Sequence, residues 1–268
     1  MSRPRLVVRD AAGVRLWQVD AWAEQAIVHG FTGRGGGVSP PPFDSLNLGL
    51  RVGDDPERVR ENRRRLCQVL GVSPQALVVG EQVHGNAVAV VTRAAMGRGA
   101  LVAADALPGV DALVCAEPGP VLMGLFADCV PILLVDPRTP AVAMVHAGWR
   151  GTDRQVVVRA LAAMAEAFGT RAADCWAALG PSIGPCCYEV GADVADRFAG
   201  WGGGLVQSRE GRLYLDLPAA NRRLLESAGV PARQILTAEV CTRCRMDQCF
   251  SHRGSGGRTG RMAAVIGL

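Results

Sequence analysis

The segment VLMGLFADCVPILLVDPRTPAVAMVHAGWRG, residues 121–151, contains short apolar runs separated by turn residues such as the Asp136-Pro137 pair. Runs of this length between proline and glycine turns are typical of buried strands. The runs are residues 121–126, 132–136 and 141–146, with a similar one upstream at residues 113–115. We therefore predict consecutive buried strands here, with the last one leading through residues 146–151 into a helix.

Helices are predicted on both sides of this segment. Asp55 as N-cap and Pro56 at the first helical position begin a helix that Gly71 ends. Thr152 is predicted to cap a second helix that runs to residue 168. The remaining predicted elements are two short strands within residues 78–91, helices at 190–198 and 219–228, and a final strand at 263–266. Alternating strands and helices without a long linker predict an α/β chain that forms one domain over residues 1–268.

Composition narrows the class of protein. Of 268 residues, 49% are hydrophobic and 20% charged, which excludes general disorder. Residues 1–14 lack the apolar run of a signal peptide, and no stretch approaches the ~20 apolar residues of a membrane span. We therefore expect a cytoplasmic protein with no membrane partner. Its nine cysteines are then better interpreted as thiols or metal ligands than as disulfides.

All 29 basic residues are arginine, so the chain contains no lysine. This excludes a Schiff-base lysine and the glycine-rich loop ending in Lys-Ser/Thr that holds nucleotide triphosphates. The net charge of +4 is spread along the chain rather than gathered in a stripe, so the sequence does not support a nucleic-acid partner.

Three residues carry the strongest chemical signal. His84, Cys129 and His146 each lie at the end of a predicted strand or in the turn after it. Two imidazoles and a thiolate suit Zn²⁺, and three protein ligands leave the fourth tetrahedral position for water or substrate. The same atoms would equally form a Cys/His nucleophilic pair. Separations of 45 and 17 residues match no local zinc motif, so only folding can bring the three together.

The sequence also resembles a known family through a series of motifs in order. The motifs are GFT (30–32) with Arg34, GGVS (36–39), SLNLG (45–49), GDDP (53–56), ENR (61–63), QVHG (82–85), ADCVP (127–131), VHAGWRGT (145–152), GPSI (180–183), YEVG (188–191), CT (241–242) and FSHR (250–253). They are similar to the family described both as multicopper polyphenol oxidase (laccase) and as purine nucleoside phosphorylase. A bacterial peptidoglycan editing factor also belongs to it. The match runs from about Gly30 to the C-terminus.

The resemblance implies a layered fold with mixed sheets and zinc bound by His84, Cys129 and His146. It also implies phosphorolysis of adenosine, inosine and methylthioadenosine, together with deamination of adenosine. The chain departs from the family near its C-terminus, where Cys249 replaces an aromatic residue and Gly254 replaces an arginine. This departure puts the contacts of that loop in doubt but not the metal site.

A count of histidines argues against a laccase. Two His and one Cys match a single blue-copper site, but a trinuclear copper cluster needs many more imidazoles than the two that remain, His29 and His252. Copper at the His/Cys/His site, with adventitious oxidation of phenols, stays open because Cu²⁺ outcompetes Zn²⁺ at most such sites. His29 is more simply interpreted as a structural histidine than as part of a pocket.

The two implied reactions need further residues. Deamination needs an activated water and a carboxylate that carries its proton, for which Asp128 is the nearest candidate. A turn cap, or a carboxylate that orients a ligand histidine, explains Asp128 equally well. Phosphorolysis needs cations and N–H donors around phosphate, for which Arg34, Asn47, Arg150 and a helix N-terminus after Gly151 are candidates.

Other interpretations stay open. The same pocket suits an amidase that edits UDP-MurNAc-amino acid precursors of peptidoglycan, and a metal-binding protein without turnover is the non-enzymatic alternative. Cys241, Cys244, Cys249 and His252 have a spacing that permits a second, structural zinc site, although free buried thiols are the default. The adjacent Cys186 and Cys187 are predicted to lie in the core.

Overall fold

The computed structural model describes residues 4–268, so the first three residues of the N-terminal stretch considered above lie outside it. The strands are β1 Leu6–Ala11, β2 Val14–Val19, β3 Val28–Thr32, β4 Leu77–Val79, β5 Val88–Val90, β6 Ala112–Cys115, β7 Val121–Phe126, β8 Val130–Asp136, β9 Ala141–Ala147, β10 Trp176–Leu179, β11 Glu189–Val190, β12 Val206–Arg209, β13 Arg212–Leu215, β14 Ile235–Thr237 and β15 Met262–Gly267. The α-helices are α1 Asp20–Glu24, α2 Pro56–Leu70, α3 Trp149–Asp153, α4 Val156–Phe168, α5 Ala192–Ala199 and α6 Leu217–Ser227.

The strands form two large mixed sheets and one small antiparallel sheet. The first sheet has the order β1-β2-β3-β15-β7-β4, and the second has the order β14-β10-β8-β9-β6-β5. Each combines antiparallel pairs with parallel ones, such as β4 with β7 and β5 with β6. The third sheet, β11-β13-β12, is antiparallel. The prediction of an α/β fold with mixed sheets is confirmed.

The two large sheets pack face to face between helices. Along β8, Leu133 and Val135 point towards the first sheet, whereas Ile132 and Leu134 pack with α4 and α6. The first sheet has the same alternation, and its outer face packs on α2 through residues such as Val265. Successive side chains of a strand point to opposite faces, so strands buried on both faces are apolar throughout. This explains why the runs in residues 121–146 lack polar alternation.

Local signals fixed the ends of one helix correctly. The side chain of Asp55 accepts a hydrogen bond from Glu57 N at 2.9 Å, Pro56 is the first residue of α2, and Gly71 ends it with φ +70°. Glycine adopts the left-handed conformation at the end of a helix at little cost in energy, because it has no Cβ. Val59 and Leu66 are fully buried, as the predicted inner face requires.

The predicted N-cap at Thr152 is wrong. Thr152 lies inside the short helix α3 and is fully buried, and its Oγ1 accepts a hydrogen bond from Asn221 Nδ2 at 2.9 Å. Gln155 separates α3 from α4 because its φ of +58° breaks the helical path. The helix that follows β9 therefore begins at Trp149, and Gly151 lies inside it rather than before a helix N-terminus. Gly169 ends α4 as predicted.

The sheet connections place the candidate site. Because β4 and β7 are parallel neighbours, their C-terminal ends lie on the same side of the first sheet, and the chain leaves both strands there. The β4–β5 and β7–β8 connections then cross to the second sheet, where β9 pairs with both β6 and β8. Among residues 4–268, no helix has the length and apolar character needed to cross a membrane.

Candidate functional site

The crossing connections bring His84, Cys129 and His146 together. His84 lies between β4 and β5, Cys129 between β7 and β8, and His146 in β9. Their ligand atoms all lie within 4.8 Å of one another, and the two imidazole rings meet edge to face with centroids 4.9 Å apart. Tetrahedral ligands of one zinc ion lie roughly 3.3–3.8 Å apart, so small side-chain movements would close the set around an ion.

Asp111 holds two of the three residues in place. Its buried carboxylate accepts a hydrogen bond from His146 Nδ1 at 2.8 Å, from Gly85 N at 2.7 Å and from His84 N at 3.0 Å. Metal-binding histidines commonly donate their second ring N–H to a carboxylate, which leaves the other nitrogen free for the metal. Asp111 therefore fixes the ring of His146 and the loop of His84. Sequence analysis missed it, although an aspartate directly before a buried apolar run was a usable signal.

A glycine allows the three residues to pack closely. A Cβ at Gly148 would lie 3.0 Å from both Cys129 Sγ and His84 Cδ2. Real Cβ atoms rarely approach other atoms this closely, so a larger residue would push the ligands apart. The close approach of Cys129 and His84 at this turn thus depends on a residue without a side chain at position 148.

The electrostatics favour the ligand form of the cysteine. Burial raises the pKa of Cys129, but the neighbouring His146 and His84 outweigh this and lower it to about 6. Burial likewise lowers the pKa of His146, but Cys129 and Asp111 outweigh it and raise the pKa to about 9. The thiolate is the form that binds metals and attacks electrophiles. Two imidazoles, a thiolate and the supporting Asp111 fit a divalent metal ion such as zinc.

The site opens into a cavity of about 530 Å³. Its walls include the aromatic rings of Trp149 and Tyr188, the ligand residues and several arginines. The arginines that line it are Arg51, Arg63, Arg150, Arg253 and Arg261. A volume in the range of 300–1,000 Å³ with a few convergent polar groups is typical of a small-molecule site.

The cavity arginines differ in how far protein groups already occupy their guanidinium N–H donors. Arg63 is fully buried and donates to the carbonyls of Leu48, Gly99 and Ala100, and burial lowers its pKa to about 10. Arg51 pairs with Glu81. Arg150, a predicted substrate-binding residue, is exposed, stacks on the Trp149 ring at 4.4 Å and makes no ion pair within residues 4–268. Its guanidinium is therefore available to an anion.

Arg253 and Arg261 were missed by sequence analysis. Arg253 Nη1 donates to Glu189 O at 2.6 Å, and its guanidinium lies 5.3 Å from the centre of the Tyr188 ring. Arg261 donates to the carbonyls of Thr259 and Gly260. Arg253 belongs to the FSHR motif (250–253), which was a usable signal, whereas Arg261 has no signal that separates it from surface residues; the fold brings both to the cavity.

Arg34 and Asn47, two predicted substrate-binding residues, do not line the cavity. Arg34 donates to Asp44 O and Met246 O, pairs with the Asp44 carboxylate at 3.1 Å and stacks on Phe250. Asn47 is fully buried, and its Oδ1 accepts from Gly49 N and Arg261 N. The backbone of Arg261 is therefore held from behind by Asn47.

Asp128 lines the cavity beside Cys129, but its carboxylate already has protein partners. Oδ1 accepts from Thr242 Oγ1 at 2.6 Å, and Oδ2 accepts from Arg253 N at 2.6 Å. These bonds tie the C-terminal loop to the turn that carries Cys129. The carboxylate that bonds the ring of His146 is Asp111, whereas Asp128 bonds Thr242 and the backbone of Arg253.

The cysteines outside this site are arranged differently from the prediction. Cys249 is fully buried in the core between the two large sheets, and His252 is exposed at the cavity wall. Cys186 is exposed and Cys187 half-buried, so the prediction that this pair lies in the core is wrong. Both cluster with Cys241 and Cys244 instead.

The histidines do not support a trinuclear copper cluster. His29 is buried in the first sheet, where its Nε2 accepts from Val19 N at 2.8 Å and its Nδ1 donates to Ile27 O at 2.9 Å. Within residues 4–268, the histidines that can share a metal are His84 and His146 alone.

A sequence model of one protein family, described as multi-copper polyphenol oxidoreductase laccase, matches residues 28–268. A purine nucleoside phosphorylase, YlmD of Geobacillus stearothermophilus, is 42% identical over 249 residues, which cover 90% of this chain and 89% of that protein. A purine nucleoside phosphorylase of Deinococcus radiodurans is 43% identical over 245 residues, which cover 91% and 90% of the two chains.

The fold is likewise similar to solved structures. The crystal structure of YlmD from G. stearothermophilus superposes with a TM-score of 0.93 at 40% identity and covers 98% of this chain and 99% of that chain. The similarity thus extends over almost the whole of both molecules, including the sheets that position the site.

Proposed function

The chain belongs to the family described as multi-copper polyphenol oxidoreductase laccase, and we propose that it is a purine nucleoside phosphorylase, as its relative YlmD is named, and that it depends on zinc. Its proposed substrates are adenosine, inosine and methylthioadenosine with phosphate, and it also deaminates adenosine. The observation that carries the proposal is the His84/Cys129/His146 group at the wall of a cavity that arginines and aromatic rings also line. Relatives at 42% and 43% identity named purine nucleoside phosphorylase support it.

His84, Cys129 and His146 are the proposed zinc ligands. Their donor set, two imidazoles and one thiolate, is that of a zinc site with an open position. When bound, zinc would act as a Lewis acid towards the substrate or a water molecule. The role of Asp111 is to keep His146 Nε2 and the His84 loop directed at the same point.

The arginines supply the second requirement, which is a place for phosphate. Phosphorolysis joins a phosphate oxygen to C1′ of the ribose as the bond from C1′ to the purine nitrogen breaks. Arg150 is the proposed principal phosphate-binding residue because its guanidinium is exposed and unpaired at the cavity. Arg253 and Arg261 approach the same space, and guanidinium groups bind phosphate through strong charge-assisted hydrogen bonds.

The aromatic residues Trp149 and Tyr188 are the proposed contacts for the base. Burial raises the pKa of Tyr188, and the nearby Cys129 raises it further, so its hydroxyl stays neutral. A neutral phenol and an indole ring provide flat apolar surface for a purine.

Asp128 is the proposed carrier of the proton. It is next to Cys129 in sequence, lines the cavity and is only 8% exposed. Each of its oxygens accepts one hydrogen bond, so a lone pair on each remains for a proton. Arg34 and Asn47 enter the proposal as positioning residues, because Asn47 holds the backbone of Arg261 and Arg34 fixes the loop beside it.

The test is chromatography of purified protein with inosine or adenosine, with and without phosphate. Cys129→Ala removes the proposed thiolate ligand, and Cys67→Ala is the matched control because Cys67 is buried in α2 away from the cavity. We expect release of free base only with phosphate, lost in Cys129→Ala and retained in Cys67→Ala.

Other outcomes would contradict parts of the proposal. Conversion of adenosine to inosine without release of base would leave a deaminase and make the phosphate roles of the arginines wrong. Base release that does not need phosphate would indicate a hydrolase. If a zinc-loaded protein does neither, the nucleoside proposal fails, and an assay with UDP-MurNAc-serine would then test the amidase alternative.

A further inference from the structure

Four cysteines outside the proposed active site share one small volume. Cys186 and Cys187 lie between β10 and β11, and Cys241 and Cys244 lie in the turns after β14. Their four sulfur atoms are all within 4.8 Å of one another. Cys244 Sγ lies 3.6 Å from Cys186 Sγ and 3.4 Å from Cys187 Sγ. None of the four lines the cavity.

We propose that these four cysteines form a second metal site that binds one zinc ion as a structural element of the fold. A zinc ion with four thiolates at about 2.3 Å keeps its sulfur atoms roughly 3.8 Å apart, close to the separations around Cys244. Four sulfur ligands complete the tetrahedron, so no position remains for water or substrate. Each thiol gives up its proton to solvent when the ion binds.

The backbone around the cluster is suited to thiolates. Gly184 N donates to Cys241 Sγ at 3.3 Å. A Cβ at Gly184 would lie 3.4 Å from both Cys186 Sγ and Cys241 Cβ, so this backbone packs directly against the cluster. Hydrogen bonds from backbone N–H groups to ligand sulfurs stabilise their negative charge.

Two arginines lie beside the cluster. Arg209 donates to Pro185 O, directly before the first cysteine pair, and Arg243 Nη1 donates to Cys187 O at 3.4 Å. Four thiolates and one divalent ion carry two net negative charges. Two neighbouring guanidinium groups would offset that charge.

Packing alone does not account for the cluster. Cysteine is among the most buried residue types, yet Cys186 and Cys244 are exposed, and Cys187 and Cys241 are only half-buried. By contrast, Cys67, Cys115, Cys175 and Cys249 are buried singly. The alternative set that combines Cys241 and Cys244 with Cys249 and His252 is not assembled, because Cys249 lies in the core.

The site would join two segments that carry the cavity wall. Ser182 and Cys241 form a β-bridge, Tyr188 follows Cys187, and Thr242 follows Cys241. Thr242 in turn donates to Asp128. A zinc ion here would therefore stabilise the loops around Tyr188 and Asp128 without contacting substrate.

The test measures zinc in the full chain, purified with a reductant and without a chelator. The variant His84→Ala/Cys129→Ala disables the first site, since it leaves His146 as its one ligand. We expect two zinc ions per wild-type chain, one in His84→Ala/Cys129→Ala and one in Cys244→Ala. Cys249→Ala is the matched control and should keep two. A loss of one zinc ion in Cys249→Ala would overturn the proposed ligand set.

X-ray absorption of the zinc in His84→Ala/Cys129→Ala identifies the ligands even if Cys244→Ala fails to fold. Four sulfur atoms at about 2.3 Å support the proposal. Nitrogen or oxygen ligands, or no zinc after incubation with excess zinc, overturn it. A disulfide between the two cysteine pairs, seen as a linked peptide under non-reducing conditions, also overturns it. Zinc content is measured without substrate, so failure of the phosphorylase proposal would not affect this result.

Discussion

The His84/Cys129/His146 group and the four-cysteine cluster (Cys186, Cys187, Cys241 and Cys244) gather similar metal-ligating side chains in different surroundings. The first combines nitrogen and sulfur, stops at three ligands and faces a cavity of about 530 Å³. The second has four sulfurs and no contact with that cavity. An open coordination position is the feature of catalytic zinc sites, and a closed one is the feature of structural sites.

The two groups also differ in what holds them. His146 lies in a buried strand and is fixed by Asp111, so the sheets assemble most of the first group before any ion arrives. The four cysteines lie on loops between short strands, and an ion would itself hold those loops together. We therefore expect loss of the first ion to affect turnover and loss of the second to affect stability.

The largest expected effect is the loss of turnover in Cys129→Ala. Mutating a residue that merely supports a ligand typically costs 10–100-fold, so removal of the thiolate itself should lower kcat/KM by more than about 100-fold. Cys244→Ala should instead lower Tm by several degrees and keep kcat at 25 °C. Paired assays of nucleoside phosphorolysis and thermal unfolding measure both. An equal loss of turnover in the two variants would remove the distinction between the groups.

Asp111→Asn should give the next largest effect. An asparagine amide cannot accept hydrogen bonds at both of its terminal atoms, so either the His146 contact or the Gly85 contact is lost. We expect zinc affinity of the first group and kcat/KM to fall by about 10–100-fold. Competition with a chromophoric chelator measures the affinity. Asp196→Asn, at an exposed position on α5, is the control, and unchanged affinity in Asp111→Asn would contradict the role of Asp111.

Arg150→Gln should affect one substrate only. A hydrogen bond to a charged group is worth about 1.5–3 kcal/mol, so the KM for phosphate should rise by at least about 10-fold. The KM for inosine, the zinc content and Tm should change little, because Arg150 is exposed and glutamine keeps a flat polar group that can still cover the Trp149 ring. Arg159→Gln, on the exposed side of α4, serves as a control. Equal rises in both KM values would indicate a general disturbance of the cavity instead.

The smallest expected effect is the loss of folding stability at low pH. Acid would weaken metal binding at both groups, and the protonation of His29 adds a separate contribution. His29 is buried and neutral, and burial lowers its pKa below 6.5. The unfolded chain therefore takes up this proton first, so stability falls as pH drops below about 6.5, by at most about 1.4 kcal/mol per pH unit. His29→Gln should flatten that slope in urea unfolding between pH 7.5 and 5.5. An unchanged slope would show that groups other than His29 cause the loss of stability in acid.

Much of the fold was predictable because its signals are local. Asp55, Pro56 and Gly71 mark the ends of α2, and the apolar runs of residues 121–146 mark the central strands. Thr152 misled because a threonine before an apolar run resembles an N-cap, whereas the break is a left-handed Gln155. No local sequence pattern predicts a positive φ at a glutamine.

The sites were less predictable because their residues meet only through tertiary structure. The motif residues Arg34 and Asn47 looked like ligand contacts, but their donors and acceptors are used within the protein. Asp111 has no spacing that links it to His146 before the pairing of β6 with β9 is known. The Cys241-x-x-Cys244 pair pointed to its sequence neighbours Cys249 and His252, while the fold supplies Cys186 and Cys187 from far upstream.

The carboxylate of Asp111 has a consequence for ion selectivity. It bonds both the ring of His146 and the backbone N–H of His84, so the His146 ring cannot turn and the His84 backbone cannot shift without breaking a hydrogen bond to this carboxylate. A site prepared in this way loses little further conformational entropy when an ion enters. An ion that favours a square-planar arrangement would require these held groups to move, whereas a tetrahedral ion such as zinc would not. Rigidity behind the ligands thus allows a protein to discriminate among metals by shape where affinity alone would not.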